Sequence, residues 1–330
     1  MIILDIGIKY LDYFIGEKSE SIHNLIEGID TYRLPNNFKS VEEYEKFCTQ
    51  ELNLTHVSTT MKKDIEMIEI LVESMFAQNI ILSDEIDVII FAQDCLNYQT
   101  ENIAQYIQYK FKIKNSFTLN VCGNYCSNVE TALTVGYSLL YSNISFNNIL
   151  IISVQKIIEH YQRIIKRVAF LGDGAGIMLL SKKDFYVKVI GTKQITDGRF
   201  YDTSHISISN NDTLIHYKNS IHNIKSTLNY YSIDNNKISS VIIPNTNKNL
   251  YKLYLDQLNI DNKLLFSDNI GKYGHITCID FIINLKDNLA YFPFLSTIVL
   301  FSFSSFNKLS SKIPSSGTFP STIAKYVFLN

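Results

Sequence analysis

The sequence predicts an α/β protein, because helix-period and strand-period segments alternate along it in the order that right-handed crossovers require. Three observations carry this reading. First, apolar residues at helical spacing run through Lys62–Gln78 (Ile65, Ile68, Leu71, Val72, Met75), and the β-branched strand Ile86–Phe91 follows. Second, Asn102–Phe111 reads as a helix, Phe117–Val121 as a strand, Ser127–Tyr141 as a helix and Ile149–Val154 as a strand. Third, the pattern returns: strand Tyr186–Gly191, helix Ser220–Tyr231, strand Val241–Pro244 and helix Lys248–Leu258. The repetition predicts two pseudo-equivalent halves, 1–181 and 182–330, joined near Ser181–Asp184. No Gly-, Ser- or Pro-rich linker separates them, so they are expected to pack as one rigid body.

Bulk composition bounds the function classes. The 330 residues are 46% hydrophobic and 19% charged, a globular balance with a large core. Net charge is −2 and the pI about 6.4, and the lysines form no sustained basic run, which argues against nucleic acid or an anionic membrane surface as partner. The five cysteines (48, 95, 122, 126, 278) are an odd number, and no secretory pattern follows Met1. Reduced thiols in a cytoplasmic protein are therefore expected, and no pair has zinc-ligand spacing. Two uncharged stretches, 131–155 and 288–307, are broken by Asn residues or by Pro293 and serines. Each apolar part falls short of the ~20 residues a membrane helix needs, so both are expected to be buried core.

The chemistry is expected in Leu119–Asn128 (LNVCGNYCSN), where a strand runs into a helix with a cysteine at the junction. Unpaired backbone N–H groups and the positive end of the helix dipole favour the thiolate there, the form that attacks a thioester. A buried Cys is also commonly a small hydrophobe, so the segment alone leaves a structural role open. Glu130, one turn along the same face, opposes thiolate formation unless paired or protonated, and equally suits a helix N-terminus. Gly172-Asp173-Gly174-Ala175-Gly176 lacks the spacing and the Lys of a phosphate loop and reads as a tight turn in the core.

Residues 60–330 resemble ketoacyl-ACP synthase III of the thiolase superfamily. The resemblance rests on Cys126 with its following helix, on Phe170-Leu171-Gly172-Asp173-Gly174-Ala175-Gly176, and on three later segments in the family's order: Asp197-Gly198-Arg199, Val241–Pro244 and Asn269–His275. It implies a thiolase-like fold of two pseudo-repeated βαβ halves in layered α-β-α-β-α arrangement. It also implies a catalytic Cys–His–Asn set, here Cys126, Asn245 and His275, with the last two exchanged relative to the family. Cys122 is the rival nucleophile, since Val121-Cys122-Gly123 is similar to a thiolase tripeptide, but spacing back from Ser142-Asn143 favours Cys126. The oxyanion hole is expected at the Cys126 N–H and the Ser316-Gly317 loop.

The activity so implied is acyl transfer onto Cys126, then Claisen-type condensation with a malonyl or related carrier thioester. Asn245 Nδ2 and a His275 N–H would hold the thioester oxygen. Two alternatives are transfer to an oxygen or nitrogen acceptor, with His275 as base, and a non-catalytic partner subunit of a heteromeric ketosynthase. The chain has no Trp and lacks the family's Arg-Thr-Gly segment, so acyl carrier protein is the expected donor ahead of coenzyme A. A homodimer without cofactor or metal is expected.

Overall fold

A computed structural model of the chain describes residues 5–27, 38–93, 102–165, 168–198, 210–291, 297–305 and 321–329. Its strands are β1 Gly7–Ile15, β2 Lys18–Ser21, β3 His56–Thr59, β4 Val88–Ala92, β5 Phe117–Val121, β6 Asn148–Gln155, β7 Ile164–Ile165, β8 Ala169–Phe170, β9 Gly174–Ser181, β10 Val187–Thr196, β11 Ile238–Ile242, β12 Leu265–Phe266, β13 Thr297–Ser305 and β14 Ser321–Leu329. The helices are α1 Ile22–Glu27, α2 Val41–Lys46, α3 Asp64–Ala77, α4 Ile103–Lys110, α5 Asn128–Ser142, α6 Asn210–Tyr230, α7 Lys248–Leu258, α8 Ile270–Tyr273 and α9 Asp280–Tyr291.

Ten strands form one sheet in the order β12-β11-β13-β14-β10-β1-β9-β6-β4-β5. One five-strand pattern occurs twice in it. In β5-β4-β6-β9-β1 the first two pairings are parallel and the last two antiparallel, and β12-β11-β13-β14-β10 repeats that sequence of directions. The two groups meet through a short antiparallel contact, Gly7 opposite Lys188 and Ile8 opposite Val187.

The parallel strands β4 and β6 are buried on both faces, which is why they read as near-continuous apolar runs, whereas the edge strand β5 is largely open on both faces. Their side chains alternate between two cores. Val88, Ile90, Ile149, Ile151, Met178 and Leu180 join α5 and α9 in a central cluster that also takes in Val187, Ile242 and Ile298 of the second group. Ile89, Phe91, Leu150, Ile152, Ile177 and Leu179 face outward onto α3 and α4. On the far side, Val241 and Val299 pack with α6 and α7. The layers therefore run α3/α4, sheet, α5/α9, sheet, α6/α7, the predicted α-β-α-β-α order.

Four sequence expectations need correction. The strand expected over Val241–Pro244 is Ile238–Ile242, three residues earlier at its start, where Ile238 pairs with Thr297 of β13. The helix over 220–231 begins ten residues earlier, at Asn210. That polar opening turn has low intrinsic helix propensity, but the partly buried Tyr217 ring packs 4.8 Å from Tyr254 and extends the element. The strand after Ser181–Asp184 runs on to Thr196, because β14 pairs with it from Val189 onward. The Gly-rich segment is a turn only through Asp173, and Gly174–Gly176 already belong to β9.

Those glycines serve close approach. A Cβ at Gly172 would lie 2.3 Å from Tyr273 O, and one at Gly174 would lie 2.7 Å from Phe14 O. Asp173 between them is fully buried and takes both guanidinium nitrogens of Arg163 at 2.9 Å, together with the Thr60 and Ile157 amides. Arg163 also donates to the Leu171 and Ile157 carbonyls. A buried carboxylate stripped of its cation is strongly destabilised, so Arg163→Met is expected to cost about 3–5 kcal/mol by urea unfolding. A loss near zero would show that the surrounding amides suffice.

Candidate active site

Strand β5 ends at Val121, and a single 3-10 turn over Tyr125–Ser127 leads into α5. Cys126 lies in that turn, two residues ahead of the fifteen-residue helix α5 and at its positive end. The turn is tied down at both sides. Asn128 Oδ1 accepts the Asn124 amide at 3.1 Å, and Asn128 Nδ2 donates to Gln93 O at 2.6 Å. Cys126 itself is 6% exposed.

His275 arrives from the other half. Gly274, at φ +71, turns the chain where a Cβ would meet Phe170 O at 2.6 Å. The His275 amide then donates to Phe170 O at 2.7 Å, and Gly172 N donates to His275 O at 3.0 Å. The Gly-rich turn is thus the backbone rail that holds this histidine. With its backbone so fixed, His275 brings Nε2 to 3.2 Å from Cys126 Sγ.

On the opposite side of the ring, His275 Nδ1 lies 2.5 Å from Asp280 Oδ2. Asp280 opens α9 and is 1% exposed. Its carboxylate also accepts from Asn245 N at 2.6 Å, Ile276 N at 2.8 Å and Asn245 Nδ2 at 3.3 Å. Apart from the ring, three N–H donors converge on it, the surroundings of an acceptor carboxylate. Against such an acceptor Nδ1 carries the hydrogen, which leaves Nε2 to exchange a proton with the cysteine. The arrangement is a buried Cys–His–Asp line in hydrogen-bond sequence, the geometry in which a thiol, an imidazole and a carboxylate can serve as nucleophile, base and orienting acid.

The expected set of Cys126, His275 and Asn245 divides. Cys126 and His275 are brought into contact. Asn245 is fully buried beside Asp280, with its Oδ1 accepting from Asn284 Nδ2 at 3.0 Å. The residue in line with the pair is Asp280, which sequence reading missed. Its signal was a polar stripe at four-residue spacing, Asp280, Asn284 and Asn288, in a largely apolar stretch. Ser316 and Gly317, like Cys95 and Arg199, lie outside the described residues. Cys122 is partly exposed after the strand, next to Gly123 at φ +87. Glu130 is buried in the first turn of α5. Tyr251 of α7 borders the site, and burial pushes its phenol far above the ordinary range, with smaller contributions from Tyr254, Cys126 and Asp280. Among the described residues no group of three or more His, Cys, Asp or Glu side chains would hold a metal ion, and no helix is long and apolar enough to cross a membrane.

The cysteines offer an internal comparison. Burial pushes the Cys48 thiol up to about 12, so near neutral pH it stays protonated and inert. Cys126 is paired with an imidazole, whereas a thiol without such a base is only a few per cent thiolate at pH 7. Iodoacetamide at that pH is therefore expected to alkylate Cys126 at least ~10-fold faster than Cys122. Peptide mass mapping reads the order, and labelling of Cys48 ahead of Cys126 would contradict the pairing.

No protein-family model matches the chain, and no curated protein does. Solved structures match over nearly its whole length. The 3-oxoacyl-[acyl-carrier-protein] synthase III of Aquifex aeolicus superposes with TM-score 0.75 at 16% identity, covering 98% of this chain and 99% of that one. The acyltransferase ChlB3 gives 0.77 at 11% identity over 98% and 97%. Xanthomonas campestris OleA, in one of its single-residue variants, gives 0.74 at 10% identity over 100% and 99%. At such identities the likeness establishes architecture, and the chain has the thiolase-type fold of these structures.

Proposed function

We propose that the chain is an acyl-transferring enzyme that carries its acyl group on Cys126 and moves protons with His275, held in register by Asp280. The observation behind this reading is the line of contacts from Sγ to Nε2 and from Nδ1 to a buried carboxylate. Each member has one task in it. Attack of Sγ on a thioester carbonyl forms a new C–S bond and a tetrahedral oxyanion. Collapse breaks the carrier's C–S bond, and the departing thiolate takes the proton held on Nε2. In the second half, Nε2 accepts the proton of an incoming hydroxyl or amine, the freed lone pair attacks the acyl carbon, and Cys126 leaves as thiolate. Asp280 accepts from Nδ1 in both halves and stabilises the imidazolium formed in each.

Transfer to an oxygen or nitrogen acceptor fits this layout better than decarboxylative condensation. Condensation needs two donors converging on a thioester oxygen, each worth ~3–4 kcal/mol. Asn245 Nδ2 is turned to Asp280, and of the two side chains it is His275 that reaches Cys126. Acyl transfer instead needs a base in contact with the nucleophile, backed by an acid. The same geometry argues against a non-catalytic partner subunit, which has no chemical need for an oriented cysteine. The expected donor is a carrier-protein thioester, because the segments implied for gripping coenzyme A are missing.

Incubation with acyl-carrier thioesters is expected to add one acyl mass, seen by intact mass spectrometry, that persists in Cys122→Ala and disappears in Cys126→Ala. Loading confined to Cys122 would overturn the assignment of the nucleophile. Equal loading rates from acetyl-coenzyme A would remove the carrier preference. Release of CO2 from a malonyl carrier by the loaded enzyme would move the reaction to condensation.

A further inference from the structure

The proposed relay does not stop at Asp280. Behind it a file of buried amides runs beside α9. Asn269 Nδ2 donates to Asp287 Oδ2 at 2.8 Å and to Asn284 Oδ1 at 2.9 Å. Asn284 Nδ2 donates to Ile243 O at 2.7 Å and to Asn245 Oδ1 at 3.0 Å. Asn245 Nδ2 then donates to Asp280 Oδ1 at 3.3 Å. The three asparagines are each at most 1% exposed, so water does not compete for these bonds.

A primary amide has an oxygen end and a nitrogen end of nearly equal shape, and its neighbours decide which way it faces. Two groups decide here, and neither can donate. The Ile243 carbonyl requires the nitrogen end of Asn284. The Asp287 carboxylate, whose other oxygen accepts the Tyr13 hydroxyl at 2.6 Å, requires the nitrogen end of Asn269. With Asn284 so fixed, Asn245 must turn its oxygen to Asn284 and its nitrogen to Asp280. A reversed Asn245 would press an amide oxygen against a carboxylate.

We infer that Asn284 is a positioning residue of the relay, acting through Asn245 to keep Asp280 an acceptor and so hold His275 as the Nδ1–H form with Nε2 facing Cys126. The inference deepens the acyl-transfer reading and rests on it for purpose, but the tautomer is measurable without any acyl donor.

The test is made on the full chain with 15N-labelled histidine. In the native protein the His275 signals are expected to show a protonated Nδ1 throughout the pH range. In Asn284→Leu a mixture of neutral tautomers is expected. The pH midpoint for iodoacetamide alkylation of Cys126 is expected to rise by about one unit, a ~10-fold slower reaction at a fixed pH below it. Asn288→Leu is the control for lost stability alone. It lies one turn along the same helix, donates to Ser240 Oγ at 2.9 Å and stands outside the file. It is expected to lower the melting temperature without moving either readout. Asn284→Ser, too short to reach Asn245, serves if the leucine variant does not fold. Native tautomer and midpoint in the Asn284 variant, or an equal shift in Asn288→Leu, would overturn the inference. A native protein that fails to load from thioesters, while its tautomer still responds to Asn284, would instead sink the proposed function and leave the positioning role standing.

Discussion

One constraint organises this molecule: the Asp280 carboxylate is buried and must be compensated where it sits. An ionised carboxyl removed from water costs several kcal/mol unless donors surround it. The fold supplies two from Asn245, one from the Ile276 amide and one from the His275 ring. Satisfying that anion and orienting the histidine are the same act. The backbone amides come from the segments after β11 and just ahead of α9, so the relay takes shape only when the second half of the sheet and the central helix layer are in place.

The second requirement is met from a distance. His275 gains its position from backbone hydrogen bonds to Phe170 and Gly172, and that strip is anchored in turn by the Arg163–Asp173 pair. The glycines of that strip make room for this contact, since a methyl group at Gly172 would overlap the Tyr273 carbonyl. A motif with the look of a nucleotide loop is thus a packing joint between the two halves of the chain. It brings His275 to Cys126, which the other half holds at the start of α5.

Much of the architecture was legible because periodicity reports burial. Strand β5 and helix α7 fall on their expected residues, and α3, α4, α5 and β6 within two. Two of the elements missed have ambiguous patterns. Helix α9 is buried on most sides, polar residues included, with Phe281-Ile282-Ile283 reading equally as strand, because it lies between two sheet layers. Strand β9 opens with glycines, which lower strand propensity but are demanded by close contacts. At the site, Cys126 was marked by its strand-to-helix junction, and His275 by motif order. Asp280 carries no such mark. Its polar stripe with Asn284 and Asn288 marks a buried polar face, but which residue that face meets, Asn245, is a tertiary fact. Asn245 was assigned to the thioester oxygen for the same reason, since its partners lie 35 and 39 residues away in sequence.

The Cys126–His275–Asp280 line depends on an acceptor carboxylate behind His275, and its removal with least change of shape is the direct trial. Single-turnover acylation of Cys126 from a carrier thioester, followed by quenched intact mass, would be compared for the native chain and Asp280→Asn, with urea unfolding to confirm that the variant is folded. Loss of an oriented base is expected to slow acylation by ~100-fold or more. A folded Asp280→Asn protein that acylates within a few-fold of the native rate would contradict the relay.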